Sequence, residues 1–195
     1  MRLLALIGVC LTLWACGERD ELPDDGDAGA RDTGLRVDAG TLPTQNILVR
    51  TVLDGDTVIV EASQGVRTPD GRPFDGEHIR LLGLDAPEIA HPPTPADCYG
   101  PESADYVTGR IEGRIVQVEF DPTHCNAGNP SACRDDYDRI LAYIKIEGTV
   151  LNEDLLRLGY GRVFRGARFQ HRDSSKYSSL EAAARSARVG MWTCP

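Results

Sequence analysis

The sequence predicts an α+β fold, mainly β: a five-stranded Greek-key barrel of the OB type with about three helices. Two observations predict the class. Five short β-branched and aliphatic runs are separated by turn-forming residues, and one helical segment follows the third run while others follow the fifth. A third observation sets the scale. The chain has 195 residues, 41% of them hydrophobic, which is enough for one packed core and excludes wholesale disorder.

Taken in order, Ile47 to Leu53 and Thr57 to Ala62 are two strand-like runs split by Asp54-Gly55-Asp56, a hairpin-forming triplet. A polar stretch, Ser63 to Glu77, leads to a third run, His78 to Leu82. Gly100-Pro101 opens a helix, with proline in its first turn, that runs to about Ile111. Ile115 to Phe120 alternates as a strand, and Ile140 to Ile146 reads as another. Leu151 to Leu158 is a short helix stopped by Gly159. Arg162 to Phe164 suits a brief strand, and a last helix containing the capping-box spacing Ser178 to Glu181 ends at Gly190.

Residues 1–16 read as an address. A basic start and a short apolar stretch end in Leu13-Trp14-Ala15-Cys16, which resembles a bacterial lipobox with Cys16 as the acylated residue. The expectation is an exported lipoprotein anchored in the membrane through Cys16, periplasmic or at the cell surface, with simple secretion as the alternative. Residues 17–45, rich in Asp, Gly and Ala, form a disordered acidic tether, and residues 46–195 form the domain. The net charge of −9 argues on its face against a nucleic-acid partner. Its placement changes that: residues 17–46 carry −5, residues 47–138 carry −10 and residues 139–195 carry +5. Arg157, Arg162, Arg165, Arg168, Arg172, Arg185 and Arg188 suggest a basic face or merely solvated helix. No segment marks a protein partner.

Export places Cys98, Cys125, Cys133 and Cys194 in an oxidising compartment. Three pairings are possible; the favoured one is Cys125–Cys133 with Cys98–Cys194, and zinc is disfavoured because no C-x-x-C occurs. His78, His91, His124 and His171 lack metal-ligand spacing and are expected at the surface, and no serine sits in a nucleophile motif.

Three stretches carry chemistry. Asp56 lies where a turn enters a strand. Arg80 lies within a strand ahead of Asp85-Ala86-Pro87-Glu88, and Arg139 starts another strand. Carboxylates with carbonyls and water form the oxygen shell a hard cation prefers. Two arginines beside it could clamp a phosphoryl group and stabilise the charge gained in displacement.

These stretches resemble the staphylococcal nuclease (thermonuclease) family over roughly Asn46 to Trp192. The matching pieces are Asp54-Gly55-Asp56-Thr57, Arg80-Leu81-Leu82 leading to Asp85-Ala86-Pro87-Glu88, Tyr99-Gly100-Pro101-Glu102, Arg139 before Leu141-Ala142-Tyr143, and Gly190-Met191-Trp192. The resemblance implies that Asp56, Asp85 and the carbonyl of Ala86 ligate Ca²⁺ directly. Glu88 would reach the metal through water and orient or deprotonate the attacking water, while Arg80 and Arg139 would bind the scissile phosphate. The implied activity is endonucleolytic hydrolysis of DNA and RNA, leaving 3′-phosphate and 5′-hydroxyl ends. Tyr137 would stack on a base or contact phosphate. Three departures stand out: Ala86 replaces a threonine, Asp136 replaces a phosphate-binding lysine, and Val163-Phe164-Arg165-Gly166-Ala167 lacks two tyrosines that flank the nucleotide. The alternative is a non-catalytic OB-fold nucleic-acid-binding lipoprotein.

Overall fold

The computed structural model describes residues 42–166 and 170–195. The signal-like segment, Cys16, most of the tether and Arg168 lie outside the described residues. Strand β1 (Gln45–Val52) turns through Asp54-Gly55-Asp56 into β2 (Thr57–Glu61), and β3 (His78–Leu81) follows. These three pair antiparallel in sequence, as short connections favour. Helix α1 (Gly100–Ile111) leads to β5 (Ile115–Glu119) and β6 (Ile140–Ile146), after β4 (Leu84–Asp85) has left the barrel wall. β5 pairs antiparallel with β1 and with β6. β6 then runs parallel to β3, with Ile79 opposite Ile140 and Arg80 opposite Leu141. That last pairing closes a five-stranded barrel of the OB type, leaving none of its five strands with an open edge along its length.

Alternation explains which side chains enter. Ile47 and Val49 of β1 and Val116 and Val118 of β5 are buried, while their neighbours face outward. β6 is buried at almost every position because a helix covers its outer face. That cover is α2 (Leu151–Leu158), whose Leu151, Leu155 and Leu156 are buried. Asn152 stitches it down: its side chain accepts from Ile144 N–H (3.1 Å) and donates to Leu82 C=O (3.1 Å), so the helix holds both strands of the parallel closure. Gly159 ends α2 in the left-handed region, φ 72°, as a C-terminal cap requires.

The remaining elements are smaller. β7 (Thr149–Val150) extends the β6 hairpin, and β8 (Arg162–Val163) pairs antiparallel with β4. Helix α3 (Ser174–Ala187) starts four residues ahead of Ser178. Ser178 and Glu181 therefore do not cap it. The Ser178 hydroxyl donates to Ser174 C=O, and Glu181 is buried against β8. The helix also stops before Gly190, at Arg188 in the left-handed region, and a 3₁₀ turn (Gly190–Thr193) follows. Cys98 is bonded to Cys194 and Cys125 to Cys133. The former ties the segment ahead of α1 to the C-terminus; the latter closes a loop between β5 and β6. Among the described residues no helix is long and apolar enough to cross a membrane.

Candidate active site

β2, β3, β4 and β6 deliver the charged residues to one rim of the barrel. Asp56 is 5% exposed, at the mouth of the β1–β2 turn. Its carboxylate accepts from the Thr57 hydroxyl (3.0 Å) and from Ala86 N–H (2.7 Å), and it pairs with the Arg80 guanidinium. Gly55 allows this packing: a Cβ there would lie 2.1 Å from the Ser103 hydroxyl oxygen and 2.7 Å from the Ala86 side chain. Burial pushes the Asp56 carboxyl above the usual carboxylate range, against the pull of Arg80.

Arg80 donates its other arm to Asp85 (3.2 Å), so two carboxylates converge on one guanidinium. Asp85 meets a second arginine on its far oxygen, Arg162, at 2.7 Å. Pairing of β4 with β8 sets Arg162 directly opposite Asp85. β8 is held there by Glu181, which accepts Val163 N–H (3.0 Å) and pairs with Arg165, and by Phe164 N–H bonded to Gly83 C=O (3.0 Å).

On the other side, Arg139 donates to the Thr57 hydroxyl (3.3 Å) and pairs with Asp135 (2.7 Å). Asp135 also accepts from the backbone N–H of Tyr137 and Arg139, 2.9 Å each, so it shapes the loop as well as aiming the guanidinium. Asp138, next to Arg139 in the chain, pairs instead with Arg72 at 2.7 Å and with Arg134 at 3.7 Å. A continuous polar chain results: Asp135, Arg139, Thr57, Asp56, Arg80, Asp85, Arg162.

Glu88 stands apart from this chain. Its side chain is 62% exposed and lies 4.0 Å from the His91 ring nitrogen, but it lines one open cleft of about 430 Å³ with Arg139 and Tyr137. Tyr137 is 81% exposed, with the Arg139 guanidinium 5.3 Å from its ring centre. A second hollow, about 220 Å³, opens between Arg80 and Arg139 and is walled by Leu84, Leu141, Tyr137 and Phe164. Phe164 thus supplies an aromatic wall in the segment that lacks tyrosines.

Among the described residues no three His, Cys, Asp or Glu side chains gather closely enough to enclose a cation by themselves. The donor chemistry still suits a hard one: two carboxylates, Asp56 and Asp85, converge on Arg80 at the edge of the hollow that Arg80 lines. The expected basic face of the last third is largely neutralised. Arg157 pairs with Asp154, Arg165 with Glu181 and Arg172 with Glu119. His171, expected at the surface, is buried, its Nδ1 3.0 Å from the Tyr143 hydroxyl, which donates to Asp121. Phe164 was not singled out from the sequence as a site residue, and Arg162 was read there only as one arginine of a basic face, because their positions are set by strand pairing.

Comparison with known proteins bears on the same region. The family profile described as "Staphylococcal nuclease homologue" matches residues 78–194. The chain is 31% identical over 144 residues to a thermonuclease of Staphylococcus hyicus, covering 73% of this chain and 71% of that one. It is 30% identical over 118 residues to a thermonuclease of Staphylococcus intermedius, of which it spans 59%. A probable endonuclease LCL3 of Schizophyllum commune is 30% identical over 127 residues, and there the match spans 40% of the longer chain. With more than half of its length matched by the family profile and nearly three quarters aligned to a thermonuclease, this chain belongs to the staphylococcal nuclease homologue family.

Proposed function

We propose that this protein is a calcium-dependent, exported endonuclease that hydrolyses phosphodiester bonds of DNA and RNA, leaving 3′-phosphate and 5′-hydroxyl ends, and that Cys16 anchors it to the membrane. The observation that carries the reading is the convergence of Asp56 and Asp85 on Arg80, with Arg139 joined to the same cluster through Thr57. Relatives called thermonuclease and endonuclease support the reaction class.

A phosphodiester resists attack because it is anionic, so the site must supply positive charge and a placed nucleophile. Asp56, Asp85 and the carbonyl of Ala86 would hold Ca²⁺. When bound, that ion offsets their charge and adds electrostatic stabilisation at the phosphate. Arg80 and Arg139 bind the phosphate oxygens and take up the charge that develops during displacement. Glu88 reaches into the cleft from an exposed position, where it accepts a proton from an attacking water or orients it. The apolar walls of Leu84, Leu141 and Phe164 receive a base, and Tyr137 offers a stacking face at the entrance.

The test is a nuclease assay on single-stranded DNA and RNA with calcium or a chelator. The parent cleaves only with calcium, and Glu88→Ala and Arg139→Ala each lower the rate by roughly 10²-fold or more. Undiminished cleavage in either variant overturns the residue roles. Nucleic-acid binding without cleavage by the parent favours a non-catalytic module instead.

A further inference from the structure

We propose that Arg162 is a third phosphate-binding residue of the site, taking the phosphate next to the scissile one on the side away from Tyr137. This rests on the nuclease reading and extends it. The polar chain across the site alternates in sign and carries three guanidiniums in a row, Arg139, Arg80 and Arg162. Thr57 with Asp56 separates the first two, and Asp85 separates the last two. Arg80 reaches one oxygen of Asp85 and Arg162 the other, so they flank a single carboxylate. Tyr137 lies at the Arg139 end, the apolar hollow lies between Arg139 and Arg80, and Arg162 marks the opposite end. A strand whose scissile phosphate rests on Arg80 and Arg139, with a base towards Tyr137, presents its neighbouring phosphate to Arg162.

Two further observations favour a substrate contact over an ion pair that only holds the fold. The first is that β8 does not need the pair. It is fixed by Glu181 and by the Phe164–Gly83 hydrogen bond, and Gly161 lets the chain press against Leu84. The second is exposure. The Arg162 side chain is 55% exposed, against 27% for Arg139 and 11% for Arg80, and an ion pair so exposed to water adds little to stability. Once Asp85 is committed to a cation, Arg162 keeps its position and loses its partner. Its charge is then available to an incoming polyanion.

The experiment measures binding of a fluorescent single-stranded oligodeoxynucleotide in calcium, across a series of NaCl concentrations, in the full chain carrying Glu88→Gln to suppress cleavage. Adding Arg162→Gln lowers affinity by about fivefold at low salt and makes the slope of log K against log[NaCl] shallower by ~0.7, the value for one single-strand phosphate contact. Adding Arg162→Lys preserves the slope. Thermal unfolding of both variants stays within a few degrees of the Glu88→Gln parent, since the replaced side chain is exposed. A slope unchanged by Arg162→Gln, or lost equally with Arg162→Lys, overturns the proposal, as does a parent that binds no oligonucleotide. Cleavage by the otherwise native chain is scored separately: its absence, with the slope change intact, removes the nuclease reading and leaves the phosphate contact standing.

Discussion

Gly55 shows how one residue governs the rim. It lies between Asp54 and Asp56 in the hairpin turn, and its missing side chain is what lets Ser103 of α1 and Ala86 approach. Gly55→Ala places a methyl group against the Ser103 hydroxyl oxygen and the Ala86 side chain, so the turn, Ser103 or the segment following β4 must move. The expected outcome is a loss of about 1–3 kcal/mol in stability, the usual cost of overpacking a dense site. Cleavage falls further than stability alone accounts for, because Asp56 and Ala86 share the hydrogen bond that shifts. Chemical denaturation with parallel rate measurements checks both; a variant with parental rates shows that the close approach is incidental.

The loop that carries Tyr137 and Arg139 is fastened at its base by Arg134, whose side chain is 6% exposed. It pairs with Asp70 (2.8 Å) and Glu77 (2.7 Å) of the segment between β2 and β3, and donates to Asp138 C=O (2.7 Å). Burial pushes the Asp70 carboxyl up, but hydrogen bonds from Arg134, Thr68 and Arg72 outweigh it and hold the group well below the usual range. Arg134→Ala deprives two partly buried carboxylates of their common cation, although Asp70 keeps its pair with Arg72. The expected cost is roughly 3 kcal/mol, as for other broken buried pairs. The freed loop also weakens nucleic-acid binding through Arg139 and Tyr137. Unfolding and binding isotherms test this, and an intact loop with parental stability rules out the fastening role.

At the scale of the whole molecule, acid sensitivity follows from the buried polar groups. His171 is enclosed by Tyr143, Tyr177 and Asp121, with its ring 4.6 Å from that of Tyr177. Burial holds it below the usual histidine range; Asp121 and Asp173 oppose that, while His124 and Arg172 reinforce it. A folded-state value below the unfolded ~6.5 means that the unfolded chain binds the proton more readily. Its contribution is therefore complete above about pH 6.5 and declines as pH falls below it. A second decline follows below about pH 4. There the carboxylates of Asp70 and Asp121 take up protons, their burial being outweighed by hydrogen bonds that keep them ionised in the folded state. Asp56, whose carboxyl burial pushes up, takes up a proton on folding over the same range and works against this decline, so the His171 share is read as the difference in melting temperature between the parent and a variant. His171→Asn, whose amide N–H can donate to Tyr143, should lose less melting temperature than the parent between pH 7 and pH 5 and leave the second decline in place. Identical profiles for parent and variant would sink the assignment to His171.

The sequence by itself determined the local elements and the chemical vocabulary of the site. The β-branched run of β6 and the Leu/Gly pattern of α2 set those boundaries at Ile140–Ile146 and Leu151–Leu158, because side-chain period and turn chemistry act over a few residues. Asp56, Arg80, Asp85, Glu88 and Arg139 were legible for the same reason, as short motifs at strand ends. Tertiary structure decided which of them meet. It set Arg162 against Asp85 across 77 residues, used Glu181 to pin β8 instead of capping α3, buried His171, and turned Asp138 away from Arg139 towards Arg72 and Arg134. Such partners depend on which strands pair and which loops close. That balance of burial and loop-closure entropy is summed over the whole chain, so no stretch of a dozen residues encodes it.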